Sequence, residues 1–198
     1  MDFKIIGLGT DANDGTGDNL RTAGGKINDN FAMAVENRTL VIPAAAMLPL
    51  TTGSAYYLEG VLPAQIFSQT AAESVKMQLF DVGNQIPAGA DGIKVRFAVR
   101  LASVSGGGTD IRMGAAASWV YENDNDVTYG TAAYSVITID GNAIVYSDQS
   151  AAITPTGNRK DDVSGLWIKV TRDATHGADD LDAQIALLWV EIEFVTVE

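Results

Sequence analysis

Ile93-Lys94-Val95-Arg96-Phe97-Ala98-Val99-Arg100-Leu101 is the stretch on which the fold turns. Ile93, Val95, Phe97, Val99 and Leu101 fall on one face of an extended chain. Lys94, Arg96 and Arg100 fall on the other. Successive side chains of a strand point to opposite sides, so this period-two pattern marks a strand buried on one face only. Half-buried strands are the signature of antiparallel sheets, one side packed and one side wet.

Working outward, further strands are expected at residues 40–42, 55–59, 75–80, 111–121, 133–139, 143–147, 166–171 and 184–197. Asp140-Gly141-Asn142, between two of these, reads as a hairpin turn. In the last strand Leu188, Val190, Ile192 and Phe194 line one face, with Trp189, Glu191 and Glu193 opposite. Gly- and Asp-rich connections at 105–108, 122–126 and 174–182 belong at the ends of two packed sheets. No crossover helices for a parallel sheet are visible, and no repeat of a fibrous shaft. The expected fold is mainly β, an antiparallel β-sandwich of jelly-roll type over residues 40–198. A short strand-loop-helix segment, residues 1–39, precedes it.

Composition narrows the chemistry. The 198 residues are 46% hydrophobic and 19% charged, with 20 glycines, which suits strands and turns. There is no cysteine, so disulfides and thiolate metal sites are excluded. The formal net charge of −12 repels nucleic acid and anionic membrane, and the basic residues are scattered singly. No apolar run is long enough to insert in a bilayer, and Met1 to Gly7 does not read as a signal peptide.

The N-terminal segment has an apolar run at residues 3–8, a turn-rich acidic loop, then a helix with Leu20, Ala23, Ile27 and Phe31 on one stripe. Gly24 and Gly25 weaken that helix and mark either a close approach or a bend. The loop fails the EF-hand pattern, because Gly15 and Thr22 stand where ligands belong. So short a device cannot hide its own stripe, and it reads either as a docking element or as a helix lying on its own β domain.

The string Asn13-Asp14-Gly15-Thr16-Gly17-Asp18, followed by Leu20-Arg21-Thr22-Ala23 and Lys26-Ile27-Asn28-Asp29-Asn30-Phe31, resembles the N-terminal signature of tailed-bacteriophage virion proteins. Gly24-Gly25 departs from the larger residues usual between its blocks. The resemblance covers residues 5–35, under a fifth of the chain. It implies a virion structural protein, a capsid decoration or cement or small surface-attachment protein docking through Leu20, Arg21, Ile27, Asn28 and Phe31. It implies a homo-oligomer, trimer favoured, contacting other virion proteins on the particle surface after synthesis in the host cytoplasm. The alternative is a tail or fibre adaptor, or a receptor-binding protein whose β-sandwich binds a host-surface glycan.

No catalytic centre, cofactor or metal site is expected. Asp173, His176, Asp179, Asp180 and Asp182 form the only His-plus-carboxylate cluster, and its glycine and turn residues read as a surface loop. No serine or threonine stands in a triad context, and Gly106-Gly107-Gly108 lacks the rest of a phosphate loop. Trp119, Tyr121 and Tyr129 border an acidic loop and are the candidate glycan or partner patch. Trp189 and Tyr57 read as core or interface residues.

Overall fold

The computed structural model describes residues 4–7, 15, 17–18, 22–28, 39–50, 55–59, 62–80, 91–121, 127–157 and 163–195. The chain divides into two compact units, Met1–Arg38 and Thr39–Glu198.

In the smaller unit residues 22–28 are helical, and residues 4–7 run without strand pairing. Asp18 holds this unit together. Its carboxylate accepts the Gly7 N–H at 2.8 Å and Lys26 Nζ at 2.7 Å, and Lys26 also donates to the Ile5 carbonyl at 2.9 Å. The hydrogen bond from Lys26, then that from Gly7, holds the Asp18 carboxyl below its ordinary pKa. A Cβ at Gly24 or Gly25 would meet nothing within 4 Å among the described residues, so neither glycine serves a close approach there.

The larger unit is two antiparallel sheets. Sheet A contains β1 (Thr39–Pro43), β3 (Ala55–Glu59), β4 (Leu62–Phe67), β6 (Gly92–Leu101), β9 (Val145–Tyr146) and β11 (Ile185–Val195). Its order is β3-β4-β11-β6-β9, and β1 pairs with the stretch of β11 that β4 leaves free. Sheet B runs β2 (Leu48–Pro49), β5 (Ala72–Phe80), β10 (Val163–Asp173), β7 (Asp110–Tyr121) and β8 (Ala133–Thr138). Inner faces of both sheets meet in one apolar core that includes Val95, Phe97, Ile111, Met113, Ile168, Ile192 and Phe194. The alternation that defined β6 is therefore the alternation that buries it.

Two expectations are corrected. Asp140-Gly141-Asn142 does not close a hairpin, because β8 lies in sheet B and β9 in sheet A. The turn carries the chain from one sheet to the other. Leu188 does not share a face with Val190. Ile185 to Leu187 pair with Leu101 to Val99 in step, but Trp189 then pairs with Ala98 and Leu188 is the extra residue of a bulge. Ile185 and Leu187 enter the core before it, and Val190, Ile192 and Phe194 after it. Leu188 joins Ala64 and Ala186 in a small apolar cluster outside the main core.

The free edge of β6 is closed by an irregular segment. Ser147 N–H donates to the Phe97 carbonyl at 3.0 Å, and Ser150 N–H to the Val95 carbonyl at 2.8 Å. In return the N–H groups of Phe97 and Val95 donate to Ser147 Oγ at 2.9 Å and Ser150 Oγ at 3.0 Å. The segment advances three residues for every two of β6, so hydroxyls stand where a regular strand would offer carbonyls. Ser147 and Ser150 are buried. Each serine-to-alanine change strips the acceptor from a buried N–H and is expected to cost about 1–3 kcal/mol in urea unfolding. A loss below about 0.5 kcal/mol at both positions would show that the hydroxyls are dispensable for closing this edge.

Candidate functional site

The outward positions of β6 and β11 build a site on sheet A. Trp189, Ala98 and Tyr146 occupy one rung across β11, β6 and β9. Strands two apart lie about 9–10 Å from each other, yet the Trp189 and Tyr146 ring centroids are 5.8 Å apart at an interplanar angle of 65°. Ala98 makes this close approach: its methyl leaves room above the sheet for both rings, and it is only 1% exposed. Their edge-to-face packing is the favoured one for aromatic pairs. Tyr146 keeps 48% of its surface exposed. Trp189 packs on the outer cluster of Ala64, Ala186 and Leu188, so the bulge at Leu188 supplies its seat.

Polar groups flank the rings along the strands. The next rung is Val41, Glu191 and Arg96, with Arg96 Nη1 at 3.5 Å from Glu191 Oε2. Beyond it Thr39, Glu193 and Lys94 share a rung, and Gln149 Nε2 donates to Glu193 Oε2. Thr39, Arg96, Gln149, Glu191 and Glu193 line a cleft of about 240 Å³. At the other end Arg100, Leu101 to Val104 and Asn142 line a second cleft of about 320 Å³. Lys94 to Arg100 spans about 20 Å along the strand.

The loop of carboxylates is otherwise engaged. Asp179 receives both Nε and Nη2 of the buried Arg172, at 3.1 and 2.8 Å. Asp180 accepts the N–H groups of Thr109 and Asp110, which hold its carboxyl below the ordinary value, Asp110 most. Asp173 pairs with Arg112, Asp182 accepts from Gln69, and His176 Nδ1 accepts the Ala178 N–H. Among the described residues no group of three His, Asp or Glu is placed to hold a metal.

The residues expected to carry function are scattered. Trp119 is 4% exposed and belongs to the main core, so it is not part of an exposed patch. Tyr129 lies beside Lys169, which alternates with core residues Ile168 and Val170 and so points outward. Trp119 and Tyr129 are thus on opposite faces of sheet B. The Tyr121 side chain, Leu20, Arg21 and Phe31 lie outside the described residues, while Ile27 and Asn28 are exposed on the helical segment. Tyr146, Arg96, Glu191 and Gln149 were missed as site residues. Part of the signal was present: Arg96 faces outward on β6, and Trp189, Glu191 and Glu193 alternate on β11.

No family model matches the chain, and no curated protein matches it. Solved structures do match. The CBM36-1 domain of a multidomain xylanase from the hindgut metagenome of Trinervitermes trinervoides is 6% identical, with a TM-score of 0.45, over 81% of this chain and 100% of its own. The CBM22-2 xylan-binding domain from Paenibacillus barcinonensis is 10% identical, with a TM-score of 0.47, over 79% and 99%. The low-affinity xylan-binding module CBM86 from Roseburia intestinalis is 16% identical, with a TM-score of 0.39, over 79% and 96%. These are distant likenesses, and they are to carbohydrate-binding modules.

They overturn the phage expectation. None of the structures named is a virion protein, and the capsid-decoration and tail-fibre roles, the trimer, the virion partners and the particle-surface location fall with it. The motif that pointed there occupies the terminal segment, half of it outside the described residues. A short end segment does not determine what the domain after it binds; that is decided by the domain's own site.

Proposed function

We propose that this chain is a non-catalytic carbohydrate-binding β-sandwich that takes an oligosaccharide along the outer face of sheet A. The observation that carries this reading is the Trp189–Tyr146 pair over Ala98, flanked by Arg96, Glu191, Gln149 and Glu193. A pyranose ring has an apolar C–H face and a rim of hydroxyls. Aromatic rings complement the first, and they bring large contact area at low entropic cost. Carboxylates, amides and guanidinium groups complement the second, because their forked geometry engages two neighbouring hydroxyls at once.

Xylan, bound by two of the matched modules, is the first polysaccharide to test, by isothermal titration with soluble oligomers. Trp189→Ala is expected to weaken binding at least tenfold, about 1.4 kcal/mol or more, as removal of a central aromatic anchor does. Tyr146→Ala is expected to weaken it severalfold. Binding that survives Trp189→Ala unchanged would place the ligand elsewhere, and absence of binding to any glycan would refute the reading.

A further inference from the structure

The outer face of sheet B carries polar atoms that the fold leaves unanswered. Among the described residues, Tyr129 Oη, Thr156 Oγ1 and Trp167 Nε1 are buried and have no hydrogen-bond partner. Buried polar groups are nearly always satisfied, so each needs a reason. These three belong to one neighbourhood. Gly130, next to Tyr129, and Thr156 both donate their N–H to the same acceptor, the Ala117 carbonyl, at 3.3 and 3.0 Å. A Cβ on Gly130 would lie 2.9 Å from Thr156 Oγ1. Ala117 pairs with Ile168, which stands between Trp167 and Lys169 on β10.

Two ammonium groups stand over the same patch. Lys76 and Lys169 are directly opposite each other on β5 and β10. Lys76 Nζ lies 4.3 Å from the Trp167 ring centroid, and Lys169 Nζ lies 5.1 Å from that of Tyr129. Like charges directly opposite across a sheet are destabilising. Neither lysine has a carboxylate partner among the described residues, in a chain with 25 acidic side chains. An ammonium stacked on a ring still has N–H donors directed away from it. Burial raises the Tyr129 hydroxyl to about 12, so it stays protonated and available as a donor at neutral pH.

We propose that this patch binds a small oxyanion, the sulfate or carboxylate group of an acidic ligand. Lys76 and Lys169 supply the charge, and Trp167 Nε1–H and the hydroxyls of Tyr129 and Thr156 supply directed donors. The charge and the donors are what a tetrahedral or planar oxyanion requires. The site is separate from the glycan face of sheet A and does not depend on it.

The test is an NMR titration of the full chain at constant ionic strength, following the Trp167 indole N–H, assigned by its loss in Trp167→Phe. Inorganic sulfate and glucuronate are the probes and chloride is the reference. A saturable shift with either probe, absent with chloride, is expected, and whichever saturates names the source. Lys169→Met is expected to weaken that probe at least tenfold, and the nearly isosteric Tyr129→Phe severalfold. The second variant keeps the test open should the first fail to fold. A Trp167 signal that moves with neither probe, moves equally with chloride, or saturates unchanged in Tyr129→Phe overturns the site.

Discussion

Arg172→Ala is expected to lower the unfolding free energy by about 3–5 kcal/mol, a large part of the 5–15 kcal/mol typical of a domain. Arg172 follows Leu166, Ile168 and Val170 on the inner face of β10, and it is fully buried. Its guanidinium donates twice to Asp179, to the Ala183 carbonyl at 2.7 Å and to the Leu181 carbonyl at 3.0 Å. Those acceptors lie on the loop leading from β10 of sheet B to β11 of sheet A, so one side chain seals the end of the core. Removing it leaves the Asp179 carboxylate, 1% exposed, without its counter-charge and with the Arg112 N–H as its donor, and it strands two carbonyls. The cost is that of an orphaned buried charge more than of a lost attraction. The double variant Arg172→Met, Asp179→Leu removes both charges and is expected to recover much of the loss. Urea unfolding of the set decides: a single-variant loss under about 1 kcal/mol would show that water reaches this end of the sandwich.

The strands of this fold were legible where period two and burial agree. β6 follows its pattern from Ile93 to Leu101, and β3 lies at the residues where apolar and aromatic side chains flanked by glycines had placed it. β4 was not legible, because Pro63 argues against a strand. Pro63 is tolerated because it pairs only with Leu58 of β3, beyond the end of the pairing with β11. The segment 147–153 was missed because its period is three, set by hydroxyls acting as acceptors. The bulge was invisible for a related reason: Ile185 to Val190 is a run of six consecutive apolar or aromatic residues, and such a run carries no phase. Parity errors propagate to function. With Leu188 placed inward, Trp189 has no apolar seat on the outer face, and the aromatic pair with Tyr146 cannot be foreseen. Trp119 failed differently, since its setting beside an acidic loop says nothing about which face of β7 it takes.

The Gly106-Gly107-Gly108 run, read from the sequence as a connection at the end of two packed sheets, yields the second large effect. Gly108→Ala is expected to cost about 3–5 kcal/mol, or roughly 10 °C in Tm. Gly108 has φ +69°, and a Cβ there would lie 1.9 Å from the Asp180 carbonyl oxygen. That carbonyl cannot simply retreat. The Asp180 side chain accepts the Thr109 and Asp110 N–H groups, the N–H groups of Asp180 and Leu181 both donate to the Asp110 carbonyl, and Asp182 and the glycine run exchange two further hydrogen bonds. The loop after β6 and the loop after β10 are therefore interlocked, and Leu181 and Ala183 beyond the contact are the acceptors of Arg172. Gly141 separates the two contributions. It has φ +74° but nothing within 4 Å of its would-be Cβ among the described residues. Gly141→Ala therefore incurs only the left-handed strain, about 1–2 kcal/mol. Thermal unfolding of the two variants side by side measures the difference. Equal losses would mean that the loops yield freely, and that the end of the sandwich is held by Arg172 alone.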